Sequence, residues 1–441
     1  MTSPSPIASA DELSVETSNR AVAGRATARR AAAAHGLAGL LAAPLRRLTS
    51  RLLRDVACGS IDVVLPDGDR FSGRGALPGP HAVIALRRWR SLLRLALAGD
   101  IGLAESYRDG DWSTPDLTAL LEFGIRNEAS WGGTLDASWP MRWLLRAIHV
   151  ARSNTRRGSR QNISFHYDLG NDFYSHWLDP ALIYSSALYR EPSQSLEQAQ
   201  ATKLDRVAEL LRLDTLRGDA AVLEIGCGWG ALALDLARRH PARITGLTLS
   251  SEQLAHARQR VEREAAPGRI DLRLQDYRDV AGKFDRIVSI EMLEAVGERY
   301  WPVYFATLRD RLRPGGVAVI QVITIADASF DKYRRGSDFI QRFIFPGGML
   351  PSPGAIRAEA ARAGLTLRTD ERFGASYATT LVEWRRRFER SWPEIAALGF
   401  DDAFGRLWEY YLCYCEAGFR AGRVDVGLYT LEHASDPGPG G

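Results

Sequence analysis

The spacing of apolar residues changes rhythm along this chain. Between residues 58 and 75 it alternates, with Ile61, Val63 and Leu65 set against Asp62 and Pro66 and a turn signal at Asp67-Gly68. That pattern predicts short half-buried strands. Helical spacing follows to about residue 150 and includes a basic, apolar-rich stretch from Ile84 to Leu97. Residues 152–160 contain no apolar side chain and read as a linker. Beyond them the rhythm becomes strand–helix–strand. Strands are predicted at 221–225, 244–249, 270–274, 284–290 and 317–323, helices at 229–239 and 251–264, and a turn at Arg313-Pro314-Gly315-Gly316. This alternation predicts an α/β fold, a doubly wound parallel sheet with helices on both faces. The expected organisation is a disordered stretch over 1–30, a small α+β accessory domain over 31–150, a basic linker over 151–161, the α/β domain over 162–435 and a flexible tail over 436–441.

Composition narrows the class. A chain of 441 residues is long enough for two or three domains. With 45% apolar and 25% charged residues, it is not disordered, collagenous or coiled-coil in bulk. The 57 basic and 53 acidic residues leave a net charge of +4, which by itself gives no argument for nucleic acid. Cys58, Cys227, Cys413 and Cys415 form no disulfide framework and lack zinc-site spacing, so a reducing cytoplasm is expected and a metal is not. No apolar run approaches the roughly 18 residues of a membrane span, and the opening residues do not resemble a secretory signal. Leu45-Arg46-Arg47-Leu48 and Arg51-Leu52-Leu53-Arg54 place leucines and arginines at helical spacing. Such a helix either covers its own domain or lies on an anionic membrane surface.

The sharpest local signal is Glu224-Ile225-Gly226-Cys227-Gly228-Trp229-Gly230, between a predicted strand and helix. Glycines there let the backbone turn sharply and approach a ligand. In a doubly wound sheet ligands bind at the carboxyl ends of the strands, where the strand order reverses. Two ligands suit such a loop: a pyrophosphate on the helix start, or a phosphate-free molecule whose amino acid part packs on the turn.

Other motifs accompany this loop in order. They are Phe165-His166-Tyr167-Asp168-Leu169-Gly170-Asn171-Asp172, Tyr184-Ser185, Gly246-Leu247-Thr248-Leu249-Ser250 with Gln253, Ser289-Ile290-Glu291-Met292-Leu293-Glu294, Ile344-Phe345-Pro346-Gly347-Gly348, Tyr377 with Thr380-Leu381, and Cys415 to Arg420. Together they resemble the cyclopropane-fatty-acyl-phospholipid synthases and mycolic acid cyclopropane synthases, which are class I S-adenosylmethionine-dependent methyltransferases. Gly99-Asp100-Ile101-Gly102 and Asp109-Gly110-Asp111-Trp112 resemble the accessory domain of the phospholipid-acting members.

The resemblance implies a seven-stranded class I methyltransferase sheet with helical insertions. It also implies S-adenosylmethionine as co-substrate. Gly226, Gly228 and Gly230 would pass its methionine part beside Glu224, with Tyr167, Tyr184 and Ser185 closing over it. Thr248, Leu249 and Gln253 would take the ribose, and Asp276 with Tyr277 the adenine edge. A bicarbonate ion would act as base, held by Glu294, Tyr377 and the backbone carbonyl of Ile323. Cys415 stands at the cysteine traditionally assigned to the active site, although the chemistry has little need of a thiol and a structural role suits it better.

Two departures fall in the expected bicarbonate pocket. The family's usual Tyr-Ser-Cys-Ala reads Tyr184-Ser185-Ser186-Ala187, and its usual His-Thr-Ile reads Gln321-Val322-Ile323. Ser186 and Gln321 donate hydrogen bonds but do not relay protons as histidine does. The implied reaction is methylene transfer to a cis double bond of a phospholipid acyl chain through a carbocation, closing a cyclopropane. The alternative is C-methylation giving methylene- or methyl-branched chains. The implied partners are membrane phospholipids with unsaturated acyl chains, reached by peripheral contact at the inner face of the membrane, and a second copy of the chain. No base-flipping motif suggests nucleic acid. Phe330, Tyr333, Phe339, Phe343, Ile344 and Phe345 either line an acyl tunnel or pack an ordinary insertion.

Overall fold

The structure is a computed structural model that describes residues 42–132, 169–216, 218–264 and 268–434. Tyr167, the expected linker at 151–161 and the expected flexible termini at 1–30 and 436–441 lie outside the described residues.

The first unit is a four-stranded sheet in the order β2-β1-β3-β4, formed by β1 (Cys58–Val64), β2 (Arg70–Arg74), β3 (Leu77–Leu86) and β4 (Trp112–Ser113). The predicted Asp67-Gly68 turn joins β1 to β2, with Gly68 at φ 92°. Helical spacing is expected from this point, yet residues 77–86 form a strand, parallel to β1. The reason is local. Ala82, Ile84 and Leu86 are buried while the residues between them are more exposed, a period of two. The helix begins only at Arg90 and runs to Arg108, broken at Gly99. Gly102 is obligatory in it, because a Cβ there would lie 2.1 Å from the Arg94 carbonyl oxygen.

The helix over residues 42–54 covers this sheet. Leu45 is buried in the core, Leu52 and Leu53 pack against it, and Arg46 pairs with Asp67 and Asp69. Arg47 and Arg51 are exposed, as is Arg54 at the helix end. Of the second basic stretch, Arg88 and Arg90 bond Asp111 and Arg94 bonds Asp109. These arginines are therefore tied within their own unit.

The second unit is a seven-stranded sheet in the order β10-β11-β9-β8-β5-β6-β7. Its strands are β5 (Ala220–Ile225), β6 (Ala242–Thr248), β7 (Ile270–Leu274), β8 (Phe284–Ile290), β9 (Leu312–Ile325), β10 (Leu365–Arg372) and β11 (Val424–His433). Neighbours β7, β6, β5, β8 and β9 are parallel, whereas β11 runs antiparallel to both β9 and β10. β9 begins earlier than expected, at Leu312. Its register on β8 shifts between the Phe284–Leu312 and Arg286–Val317 pairs, so the segment Arg313–Gly316 contains the extra residues of a bulge. Sequence order reverses between β5 and β8, placing the crevice beside the glycine loop. Among the described residues no helix is long and apolar enough to cross a membrane.

The two units meet on the helix Asp402–Arg420. Tyr107 donates to Glu409 at 2.9 Å and Thr118 donates to Glu416 at 3.0 Å. Within the first unit Asn127 is a buried knot. Its side-chain oxygen accepts from the Ala57 and Cys58 amides at 2.8 and 3.0 Å, and its amide donates to the Cys58 and Phe123 carbonyls at 2.8 and 2.9 Å. Asn127→Ala leaves those groups unpaired and is expected to destabilise the unit by about 3 kcal/mol. Faster limited proteolysis between β1 and Trp131, with the seven-stranded unit intact, is the check.

Candidate active site

At the end of β5 the chain turns through Gly226, Gly228 and Gly230 at φ 85°, 51° and 81°. The Gly226 and Cys227 amides donate to the Leu247 carbonyl of β6 at 2.9 and 2.8 Å, which ties the loop to the neighbouring strand. Trp229 Nε1 donates to Asn171 Oδ1 at 2.7 Å, joining the loop to the Gly170-Asn171 motif. A Cβ at Gly228 would meet nothing within 4 Å, so the loop faces open space at that residue, while Gly226 and Gly230 pack against Met292 and Ala257. Glu224 is buried beneath it. Burial pushes its carboxyl up to about 8 against the pull of the Lys203 ammonium, and its Oε2 has no hydrogen-bond partner among the described residues. An open glycine cradle beside an unsatisfied carboxyl oxygen fits S-adenosylmethionine, whose sulfonium supplies an electrophilic methyl group.

Thr248 ends β6, with Leu249 and Gln253 after it, and Asp276 and Tyr277 follow the end of β7. Thr248 donates to Gln253 Oε1 at 2.9 Å, and Leu249 is half-buried between them in sequence. Asp276 caps the turn Tyr277–Asp279 and pairs with Arg278 at 2.6 Å, so its carboxylate is already engaged. The buried Tyr277 hydroxyl has no hydrogen-bond partner among the described residues. Tyr184 shares a 2.8 Å hydrogen bond with the Tyr411 hydroxyl, and Ser185 Oγ accepts from Lys203 Nζ at 2.8 Å. Lys203 is itself buried, and burial lowers its pKa to about 8.

A second cluster follows β8. Glu291 stands in the left-handed region at φ 49°, which is costly for a residue with a Cβ. Its Oε1 accepts from the Ser186 amide at 2.9 Å and from Gln321 Nε2 at 2.7 Å, and its Oε2 accepts from the Tyr377 hydroxyl at 2.7 Å. Burial raises its pKa, while these donors and Lys203 pull it down. Glu294, three residues on, accepts from the Ile323 amide through Oε1, and its buried Oε2 has no partner among the described residues. Burial, and then the charge of Glu291, push Glu294 up to about 8, so it is a neutral acid at neutral pH. The Tyr377 phenol is held well above its ordinary value by burial and by Glu291, and stays a donor.

Ser186, Gln321 and Tyr377 therefore meet on Glu291, with Glu294 and Ile323 bonded to each other beside it, and two details differ from expectation. The Ser186 hydroxyl donates to the Ala187 carbonyl at 2.9 Å, and it is the backbone amide that bonds Glu291. Ile323 enters through its N–H. Cys415 sits half-buried on the helix Asp402–Arg420, where burial pushes its thiol upward and keeps it protonated.

Two groups of the site, Glu291 and Lys203, are not singled out by the sequence. Glu291 appears there only as one residue of a motif. The available signal is a second glutamate three residues before Glu294, combined with the two departures at Ser186 and Gln321. Lys203 carries no sequence signal beyond being one of three lysines in the chain.

Gly226→Ala places a Cβ at φ 85° and 3.2 Å from Met292 Cγ. Its expected effect is a loss of at least tenfold in S-adenosylmethionine affinity, read by calorimetry, with the far-ultraviolet spectrum unchanged. Glu294, with its raised pKa, contributes stability that is complete below the ordinary glutamate value and lost as pH rises through about 8. Melting temperatures are accordingly expected to fall from about pH 5 to about pH 8. Glu294→Gln, which mimics the neutral acid, should show a shallower fall.

A family profile described as mycolic acid cyclopropane synthetase matches residues 154–428. The chain is 37% identical over 438 residues to the tuberculostearic acid methyltransferase UfaA1 of Mycobacterium tuberculosis, covering 96% of this chain and 100% of that protein. It is 36% identical over 341 residues to the cyclopropane-fatty-acyl-phospholipid synthase of Escherichia coli K12, covering 76% and 83% of the two chains. Among solved structures, the mycolic acid cyclopropane synthase CmaA1 complexed with SAH and CTAB aligns with a TM-score of 0.57 at 29% identity, over 62% of this chain and 97% of that one. The chain belongs to the mycolic acid cyclopropane synthetase family, and it is a lipid-modifying methyltransferase with S-adenosylmethionine as co-substrate.

Proposed function

We propose that this enzyme adds the methyl carbon of S-adenosylmethionine to a cis double bond in a phospholipid acyl chain and releases a methylene-branched chain. The observation that carries this reading is the composition of the pocket behind β8. The positions where a thiol and an imidazole are expected hold Ser186 and Gln321, and the serine hydroxyl is turned away onto Ala187. Neither group relays a proton as an imidazole does. A first-formed secondary cation that keeps its proton gains stability when a hydride moves to it from the methylated carbon, which leaves a tertiary cation. Proton loss from the new methyl then gives a methylene branch on the chain. Similarity to a tuberculostearic acid methyltransferase along nearly the whole chain supports this product.

Cyclopropane formation is the second reading, supported by similarity to the Escherichia coli synthase and by the presence of Glu294, Tyr377 and Ile323 in one pocket. In both readings Gly226, Gly228 and Gly230 pass the methionine part of the co-substrate, Glu224 faces its ammonium, Thr248, Leu249 and Gln253 take the ribose, Asp276 and Tyr277 the adenine, and Tyr184 and Ser185 close over it. The exposed Arg47, Arg51 and Arg54 suit contact with anionic headgroups.

Expression in a bacterium lacking its own cyclopropane synthase, followed by mass spectrometry and proton NMR of fatty acid methyl esters, tests both. The expected product is heavier by one CH2 and carries vinylidene proton signals. High-field cyclopropane signals would establish the second reading, and unchanged acyl chains would refute both.

A further inference from the structure

Of the groups expected to hold a bicarbonate ion, Tyr377 already grips a carboxylate of the chain itself, together with two further donors from the expected bicarbonate pocket. Tyr377, Gln321 and the backbone amide of Ser186 converge on the two oxygens of Glu291, at 2.7, 2.7 and 2.9 Å. A bicarbonate ion offers a planar carboxylate of the same shape, so these donors cannot serve both. The backbone is strained to bring this about, since Glu291 sits at φ 49°, a conformation that glycine adopts freely. Glu294 does not compete for the role, because its Oε1 is bonded to the Ile323 amide and burial, with the charge of Glu291 added, favours its neutral form.

We infer that Glu291 is the resident base of this enzyme and that the reaction runs without bicarbonate. The inference rests on the proposed acyl-chain methylation. In the step it serves, the π pair of the alkene forms the bond to the methyl carbon, and sulfur keeps the pair of the bond that breaks. A hydride moves with its pair from the methylated carbon to its neighbour. The Glu291 carboxylate then takes a proton from the methyl group, and that C–H pair becomes the new double bond. The products are the methylene-branched chain, S-adenosylhomocysteine and a protonated Glu291, which returns its proton to solvent as product leaves. Charge balances at each stage, and no oxidant or reductant is required.

The test uses the full chain, S-adenosylmethionine and vesicles of phosphatidylglycerol with cis-monounsaturated chains, in buffer stripped of carbon dioxide. Wild-type turnover is expected to be unchanged when bicarbonate is withheld or restored. Glu291→Gln should lower kcat by about 100-fold or more, the usual scale for loss of a general base, with S-adenosylmethionine affinity intact by calorimetry. Glu291→Gly relieves the backbone and empties the space between the three donors, so its turnover should become dependent on added bicarbonate. A wild-type rate that falls without bicarbonate, or a Glu291→Gln enzyme within a few-fold of wild type, would overturn the inference. A second measurement does not need turnover. Carbon-13 NMR of labelled bicarbonate, with S-adenosylhomocysteine bound, should show binding to Glu291→Gly and none to wild type, and wild-type binding would also overturn it. If wild type is inert on the vesicles, the acyl-chain reading fails, and the bicarbonate-binding measurement still decides the role of Glu291.

Discussion

Desolvation of charge is the constraint around which this site is arranged. Glu224, Glu291, Glu294 and Lys203 are all removed from water at the carboxyl ends of β5 and β8 or directly behind them. An ion buried without partners costs several kcal/mol, so each group must gather partners or give up its charge. They do so differently. Glu291 collects three donors. Glu294 has one backbone amide and a charged neighbour, and becomes neutral. Lys203 reaches the Ser185 hydroxyl and lies within the field of Glu224 and Glu291. The result is a buried cluster in which a carboxylate holding three donors lies beside a neutral acid, the usual way to obtain two roles from one residue type.

An aromatic wall packs beside the site. Trp177 is fully buried and packs edge-on against Tyr184, Trp384 and Trp408, while Phe173 sits among Trp177, Phe388, Phe404 and Trp408. The wall also links the accessory unit to the chemistry. Tyr107 of that unit packs on Tyr410, one residue from Tyr411, whose hydroxyl bonds Tyr184. Displacing the accessory unit would therefore disturb the helix Asp402–Arg420, whose Tyr411 hydroxyl bonds Tyr184.

The parallel core of the sheet was legible because buried parallel strands read as short apolar runs between turn signals. β7 and β8 fall at the expected residues, and the glycine loop stands where the strand order reverses. β3 was not legible as a strand, since its alternation through Ala82, Ile84 and Leu86 runs directly into the helical pattern after Trp89. The site was legible as a set of positions and illegible as a hydrogen-bond network. Residue types said that Glu294, Tyr377 and Gln321 could meet. Nothing in their spacing said that the Ser186 backbone would contribute instead of its hydroxyl, or that a left-handed turn would swing Glu291 among them. Such facts belong to tertiary geometry, and strained positions of this kind are where local rules are expected to fail.

The ring and the branched chain share every bond-making event up to the first cation, so the protein's influence lies in the timing of one proton transfer. A small ion held by several groups can follow the charge and take a proton at once from the methyl bridge, which closes a ring. A carboxylate on a strained backbone, with both oxygens already accepting hydrogen bonds, is fixed in place and weakened as a base by each donor it accepts. Delay favours the more stable tertiary cation, whose acidic protons include those of the same methyl group. A fixed base near that carbon suits a branched product, whereas a mobile base suits a ring. The exchange of a thiol and an imidazole for Ser186 and Gln321, and the seating of Glu291 between them, are on this view one change. On the proposed branched-chain reading the seated carboxylate needs neutral donors around it, and a proton-relaying imidazole at the same contacts would favour early proton loss and the ring.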